Sequence, residues 1–464
     1  MWLMSKKVVI IGAGPGGYVA AIHAAKLGCD VTLIERDHVG GVCLNCGCIP
    51  TKALVASAEM LHHTRRIAEY GIDLTGEIHP NLAQIMARKD AVVTRLTNGV
   101  SFLLKKNKVN LVKGSGRFLS PTEVEVTTAD GDKQVYSADA FIIATGTVPA
   151  VPPVFSFDGD LVITSEQALN LKELPKSMII IGGGVIGCEF ASILSELGVK
   201  ISVIEMLPGL LPMLEPELGK NLAFIFKKRG IEVKTGVKVM KVTKTAETAV
   251  LSFENGEALE AGKVLVSIGR RAETDSLNLP AAGVRVDKGG KIQVDSRLCT
   301  NIANIYAIGD VNNLGYDLAH AASYQAKVVV DNLCGTERTV AEYIVPSCVF
   351  TLPEIASVGM TEAEAKEAGL LAKTAKFPYM ANGKALTMGE AEGFIKIITD
   401  SSSGKVLGVH IMGAHASDLI AEATLAVSLG LTAAELGSTI HAHPTLAETI
   451  MEASEMINNQ AIHI

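Results

Sequence analysis

KKVVIIGAGPGGYVAAIHAAKLGCDVTLIER, residues 6–36, decides the fold. A β-branched run leads into a glycine turn, an alanine-rich helical stretch and a second β-branched run that ends in an acid, which together make one βαβ unit. Gly12, Gly14 and Gly17 spell GxGxxG. The first glycine permits the tight turn, the second lets backbone approach a pyrophosphate, and the third allows the helix to pack closely, with its N-terminus facing the anion. Glu35 stands twenty-three positions beyond Gly12, where it would accept a hydrogen bond from a ribose hydroxyl.

The pattern occurs a second time. SMIIIGGGVIGCEFASILSELGVKISVIEM, residues 177–206, carries Gly182, Gly184, Gly187 and Glu205, again with twenty-three positions between first glycine and acid. A lone GxGxxG is weak, but strand, helix, acid and a duplicated spacing together are specific, so two dinucleotides are expected in one chain. Glu205-Met206-Leu207-Pro208 offers no base to a 2′-phosphate, which favours NAD over NADP at the second loop. The fold class is therefore α/β, with two Rossmann-like dinucleotide-binding domains.

At 464 residues the chain has room for several domains. The prolines at 149, 152 and 153 mark a boundary near residue 150, and further breaks lie near Asn278–Pro280 and at Pro346, after a helix-like run from Ala319 to Leu333. This gives segments 1–150, 151–277, 278–346 and 347–464, the last with strands, long alanine-rich helices and no cofactor loop, which suits an interface role. A formal net charge of −7 argues against nucleic-acid binding. Val8–Ala25 is uncharged, but four glycines, Pro15 and His23 interrupt it, so it reads as strand plus helix rather than a membrane span or retained targeting segment. With no other long apolar run apparent, a soluble cytoplasmic or organelle-matrix protein is expected.

Eight cysteines are too few for a secreted disulfide scaffold. Cys29, Cys188, Cys299, Cys334 and Cys348 are scattered and read as small buried hydrophobes. In GGVCLNCGCIPTK, residues 40–52, three thiols cluster: Cys43 with Cys46 as C-x-x-C, Cys43 with Cys48 as C-x4-C, or all three around a metal. A zinc site needs four ligands, and no second Cys or His pair lies at finger spacing, so no metal is expected. HAHPTLAE, residues 441–448, sets His443 five positions before Glu448, a spacing that fits either a helix-start histidine near a solvated acid or an imidazole base oriented by a carboxylate.

Together GAGPGGYVAAI, GGVCLNCGCIPTK, ATG at 144–146, GGGVIGCEF, SIGRR at 267–271, TNIANIYAIGD at 300–310, HAHPTLAE and the terminal AIHI resemble the flavoprotein pyridine nucleotide:disulfide oxidoreductases over essentially the whole chain. Within that family the likeness is to members that reoxidise protein-bound dihydrolipoamide. The resemblance implies FAD on the first βαβ unit and NAD on the second, with Ala144, Thr145, Gly146, Gly269 and Asp310 at cofactor turns and Asp310 on the flavin ribitol. It also implies a Cys43–Cys48 redox disulfide with Cys46, where the family more often has Val, filling space. Lys52 and Glu189 are implied as an ion pair beside the flavin, His443 as the base and Glu448 as its orienter, with His441 a structural neighbour. A homodimer whose active site is shared across subunits follows, with 347–464 as its dimerisation domain. The implied partners are lipoyl domains of 2-oxo acid dehydrogenase E2 components or the glycine-cleavage H protein. One departure is Ser323-Tyr324-Gln325-Ala326, where the family commonly has an acidic pair and a glycine.

Overall fold

The computed structural model describes residues 5–340 and 343–464. The chain forms two compact units, one from Met1–Leu54, Asn81–Ala150 and Gly269–Glu342, the other from Val55–Pro80, Val151–Ile268 and Tyr343–Ile464.

The first unit is built on a five-stranded parallel sheet in the order Ile305–Ala307, Ala140–Ile143, Lys7–Ile11, Asp30–Glu35, Asn110–Lys113. Val8 to Ile11 are all buried, as a parallel strand covered on both faces requires, and this is why the run reads as unbroken apolar sequence. The helix Pro15–Lys26 follows the glycine turn, with Pro15 in its first turn, where a missing N–H costs nothing. Between the third and fourth strands in sequence lies an antiparallel three-stranded sheet, Ser115–Ser120, Glu123–Thr127 and Lys133–Ser137. The helix expected from Ala319 to Leu333 spans those residues.

The second unit repeats the plan. Its parallel sheet runs Glu232–Thr235, Lys200–Glu205, Ser177–Ile181, Lys263–Val266, Val162–Ile163, and an antiparallel insert, Val239–Lys244, Ala249–Phe253 and Ala258–Ala261, again precedes the fourth strand of the motif. The sequence shows the duplicated βαβ, and the structure extends the duplication to the whole half. The edge strand differs: Ile305–Ala307 comes from far along the chain, whereas Val162–Ile163 precedes its sheet. This unit also holds a five-stranded antiparallel sheet, Ser347–Val349, Ile355–Gly359, Val406–Met412, Phe394–Asp400, Ala372–Pro378, packed against helices Ala416–Leu429 and Glu448–Ile457.

Two expectations change. Gly41–Arg65 is a stretch long and apolar enough to cross a membrane by length and composition. In the structure it is interrupted at Cys46 and Gly47, between the helices Gly41–Asn45 and Cys48–Arg65. Of the five scattered cysteines only Cys188 is buried; Cys29, Cys299 and Cys348 are half-buried and Cys334 is exposed. Cys29 and Cys334 follow helix ends, at the rim of a core rather than inside it.

A buried ion cluster fastens the antiparallel sheet to the second nucleotide half. Lys396 Nζ donates to Glu215 Oε1 at 2.9 Å and to Glu362 Oε2 at 2.7 Å. Burial alone would raise the Glu215 carboxyl, but Lys396 and the Glu362 N–H hold it below its ordinary 4.5. Burial alone would lower Lys396, and the two carboxylates hold it above 10.5. The Glu215 contribution is thus present above about pH 4.5 and lost as pH falls through its depressed value, and the Lys396 contribution is lost as pH rises through its elevated one. Lys396→Met leaves Glu215 buried without its cation and is expected to destabilise by about 3–5 kcal/mol at pH 7 in urea denaturation, with the difference from wild type shrinking below about pH 4.5; equal stabilities at pH 7 would count against the cluster.

Candidate active site

The two glycine loops are held by the same contacts. Gly12 and Gly182 have φ of 102° and 109°, a region that favours glycine. A Cβ on Gly17 would lie 1.8 Å from the Gly12 carbonyl oxygen, and one on Gly187 would lie 2.0 Å from that of Gly182. Both positions thus admit only glycine, and the helix starts hard against its own turn. Glu35 Oε2 accepts from Ala13 N–H at 2.6 Å and Oε1 from Asp37 N–H at 2.8 Å. Glu205 does the same with Gly183 at 2.6 Å and Leu207 at 2.7 Å. An ionised carboxylate has about four acceptor positions, so each retains capacity for a sugar hydroxyl. Helix N-termini Gly14 and Gly184 carry no side-chain cap, which leaves their N–H groups facing outward for a pyrophosphate. The donor set therefore fits a dinucleotide at each loop. Met206 and Leu207, beyond Glu205, are exposed and apolar.

In the first unit, Ala144 N–H bonds to Ile11 O at 2.8 Å, Thr145 Oγ1 donates to Glu273 O at 2.7 Å, and Gly146 O accepts from Glu273 N–H at 3.0 Å. Gly269 O accepts from Ala150 N–H at 3.0 Å. Asp310 follows the short strand Ile305–Ala307, and its Oδ2 accepts from Thr147 Oγ1 at 3.2 Å. Arg270 in turn donates to Thr147 Oγ1 at 2.7 Å and to its carbonyl at 2.6 Å. Burial raises the Asp310 carboxyl, Asp317 adds to the rise, and Thr147 and Arg270 oppose it. Gln325, at the point where the sequence departs from the family, is wholly buried and accepts from Gly309 N–H at 2.7 Å and Asn312 Nδ2 at 2.9 Å. It fixes the turn that carries Asp310.

The cysteine segment is tied to the first loop. Gly40 N–H donates to Ala13 O at 2.8 Å, and a Cβ on Gly41 would meet Gly14 Cα at 2.6 Å. Cys43 sits on the short helix Gly41–Asn45 and Cys48 opens Cys48–Arg65, where the helix dipole favours negative charge on its sulfur. Cys43 and Cys48 share a hydrogen bond; it and burial raise the Cys43 thiol, with Lys52 acting against them and Asp310 adding to the rise. Cys43, Cys48, Lys52 and Asp310 are thus brought together. Tyr18, on the helix Pro15–Lys26, feels Cys43 as well: burial, then that thiol, raise its phenol.

In the second unit Glu189 is 3% exposed, and its Oε1 accepts from Phe350 N–H at 3.0 Å. His443 Nδ1 lies 2.9 Å from Glu448 Oε1, and Glu448 Oε2 accepts from Thr445 N–H at 2.7 Å. Burial would raise the Glu448 carboxyl, but those two bonds hold it below the ordinary carboxylate value. The His443 side chain is 80% exposed, so its second nitrogen faces outward. His441 bonds to Thr439 O and Glu422 Oε1, each at 2.8 Å. Tyr18, Arg270 and Gln325 lie in stretches noted in the sequence but receive no role there, and Thr147 receives none either. Each acts through a contact between distant segments.

Paired dinucleotide loops, a dithiol beside the first and a carboxylate-held imidazole define a class, and the comparisons agree with it. The chain belongs to the pyridine nucleotide-disulphide oxidoreductase family, whose model matches residues 6–326, while that of the family's dimerisation domain matches 345–454. It is an NAD-dependent flavoprotein disulfide oxidoreductase with FAD and NAD as cofactors, and its dimerisation domain supports a homodimer. Among its relatives, dihydrolipoyl dehydrogenase of Thermus scotoductus is 44% identical, covering 98% of both chains. Mitochondrial dihydrolipoyl dehydrogenase 2 of Arabidopsis thaliana is 42% identical, covering 98% of this chain and 91% of its own. Of solved structures, LpdA from Mycobacterium tuberculosis superposes with a TM-score of 0.91 at 30% identity, covering 97% and 99% of the two chains. The HOCl-induced flavoprotein disulfide reductase RclA from Escherichia coli does so at 0.87 and 29%, with the same coverage.

Gln325→Leu deprives the buried Gly309 N–H of its acceptor. We expect it to cost about 1–3 kcal/mol of stability and to increase flavin loss on gel filtration, with Gln325→Glu, which keeps an acceptor, losing less. Wild-type flavin content in the Leu variant would show that the turn does not depend on Gln325.

Proposed function

We propose that this chain reoxidises protein-bound dihydrolipoamide to lipoamide with NAD+ as acceptor, using Cys43 and Cys48 as its redox disulfide. The observation that carries the reading is the hydrogen bond between those two thiols beside Lys52 and Asp310. FAD, when bound, would supply the two-electron carrier between the dithiol and NAD+.

His443 of the partner subunit, held by Glu448 of that subunit, takes the proton of one substrate thiol. The resulting thiolate attacks Cys43 Sγ, breaking the Cys43–Cys48 bond and leaving the electron pair on Cys48. The second substrate thiol then displaces Cys43, closing the lipoyl disulfide and leaving two reduced enzyme sulfurs. In this reading Gly12, Gly14, Gly17, Glu35, Ala144, Thr145, Gly146 and Asp310 hold FAD, with Gly269 at a further cofactor turn. Gly182, Gly184, Gly187 and Glu205 hold NAD, with Lys52 and Glu189 as further cofactor-site residues. The four-part division is FAD domain 1–150, NAD domain 151–277, central domain 278–346 and interface domain 347–464. Residues 341 and 342 of the central domain lie outside those described. The lipoyl arm comes from an acyltransferase or glycine-cleavage carrier. Its place is the cytoplasm or an organelle matrix, the latter supported by relatives named as mitochondrial.

Dihydrolipoamide should drive NAD+ reduction, while NADPH with oxidised glutathione should give none; activity only with the second pair overturns the proposal. Cys43→Ser and Cys48→Ser should abolish turnover and Cys46→Val should keep it. His443→Gln is expected to lower kcat by about 10²- to 10⁴-fold, and a dead Cys46→Val enzyme would overturn the thiol pairing.

A further inference from the structure

Cys29 and Cys334 lie 305 residues apart in sequence, yet their sulfurs are 3.8 Å apart. Cys29 follows the helix Pro15–Lys26 and Cys334 caps Ala319–Leu333. The two helices run side by side in parallel: Gly16 is beside Ala322, His23 Nε2 lies 2.7 Å from Asp331 Oδ1, and the cysteines meet at the far ends. Lys6 Nζ donates to Leu333 O at 2.8 Å and Arg338 bonds to Asp331 at 2.7 Å, so the ends are held in place around the thiols. We propose that Cys29 and Cys334 form a second dithiol, outside the catalytic pair, which low-molecular-weight disulfides oxidise to a cross-link between these helix ends.

The sulfurs are already 3.8 Å apart, and a disulfide needs them at about 2.05 Å. Cys334 is exposed, whereas burial, with Cys334 adding to it, pushes the Cys29 thiol up to about 11. This difference orders the chemistry. Cys334, the exposed one, gives its proton to water, and its sulfur attacks a small disulfide and releases one small thiol, leaving a mixed disulfide. Cys29 gives its proton to water and its sulfur displaces the second small thiol, closing the Cys29–Cys334 bond. The protein loses two electrons and two protons, and one small disulfide becomes two thiols.

The test is to incubate the holoenzyme with oxidised glutathione, alkylate remaining thiols and map peptides by mass without reduction. The expected result is a Cys29 peptide joined to a Cys334 peptide, two hydrogens lighter than the separate thiols, free of glutathione and released by dithiothreitol. In Cys29→Ser, Cys334 should instead keep one glutathione. A stable glutathione adduct on wild-type Cys334 with Cys29 alkylated, or alkylation of both, would overturn the proposal. Since the wild-type map alone decides between these results, a variant that fails to fold does not remove the test.

Discussion

Each nucleotide half depends on a carboxylate that accepts from the backbone of its own glycine loop: Glu35 from Ala13 and Glu205 from Gly183, both at 2.6 Å. The bond joins the end of the second strand to the turn after the first. It fixes the height of the turn, the start of the helix and the direction of the helix's N–H groups. In the first half the constraint travels further, because the Ala13 carbonyl accepts from Gly40 and so sets the position of the cysteine segment. The acid expected from sequence to meet a ribose is thus a structural clamp in the fold, and a carboxylate so used still has acceptor capacity to spare.

The two halves share a frame but carry different attachments. The first has a dithiol beside its loop. The second is fastened through Glu215 and Lys396 to an antiparallel sheet, and the His443–Glu448 pair stands at the start of the helix Glu448–Ile457 packed against that sheet. Glu448 is fixed by Thr445 N–H and the histidine by Glu448, so the imidazole is oriented while its side chain stays 80% exposed. Cys43 is the opposite case, a half-buried thiol that its hydrogen bond to Cys48 and burial push upward.

How much was legible follows from the range of each interaction. Both βαβ units, their acids, the helix Ala319–Leu333 and the His443–Glu448 pair are local patterns, and the sequence reading located them all. The Cys43–Cys48 pairing is implied by the family resemblance alone, since spacing leaves three choices. Gln325 was noticed only as a departure, and its buried bonds to Gly309 and Asn312 come from a turn more than a dozen residues away. Arg270 reaches Thr147 across 123 residues, and Cys334 reaches Cys29 across 305. Cysteines read singly looked like filler because pairing at such separations leaves no periodicity to find.

The source of the edge strands gives the two sheets different timetables during synthesis. The second sheet draws its strands from 162–266, one uninterrupted stretch, and has all of them once residue 266 has left the ribosome. The first begins at residue 7 but lacks its outer strand until residue 307 emerges. The half that starts first is thus completed last, and Ala140–Ile143 remains an open edge while the neighbouring half is translated. An unpaired edge is a template for wrong partners. That interval is where a nascent chain of this design is most exposed to misassembly.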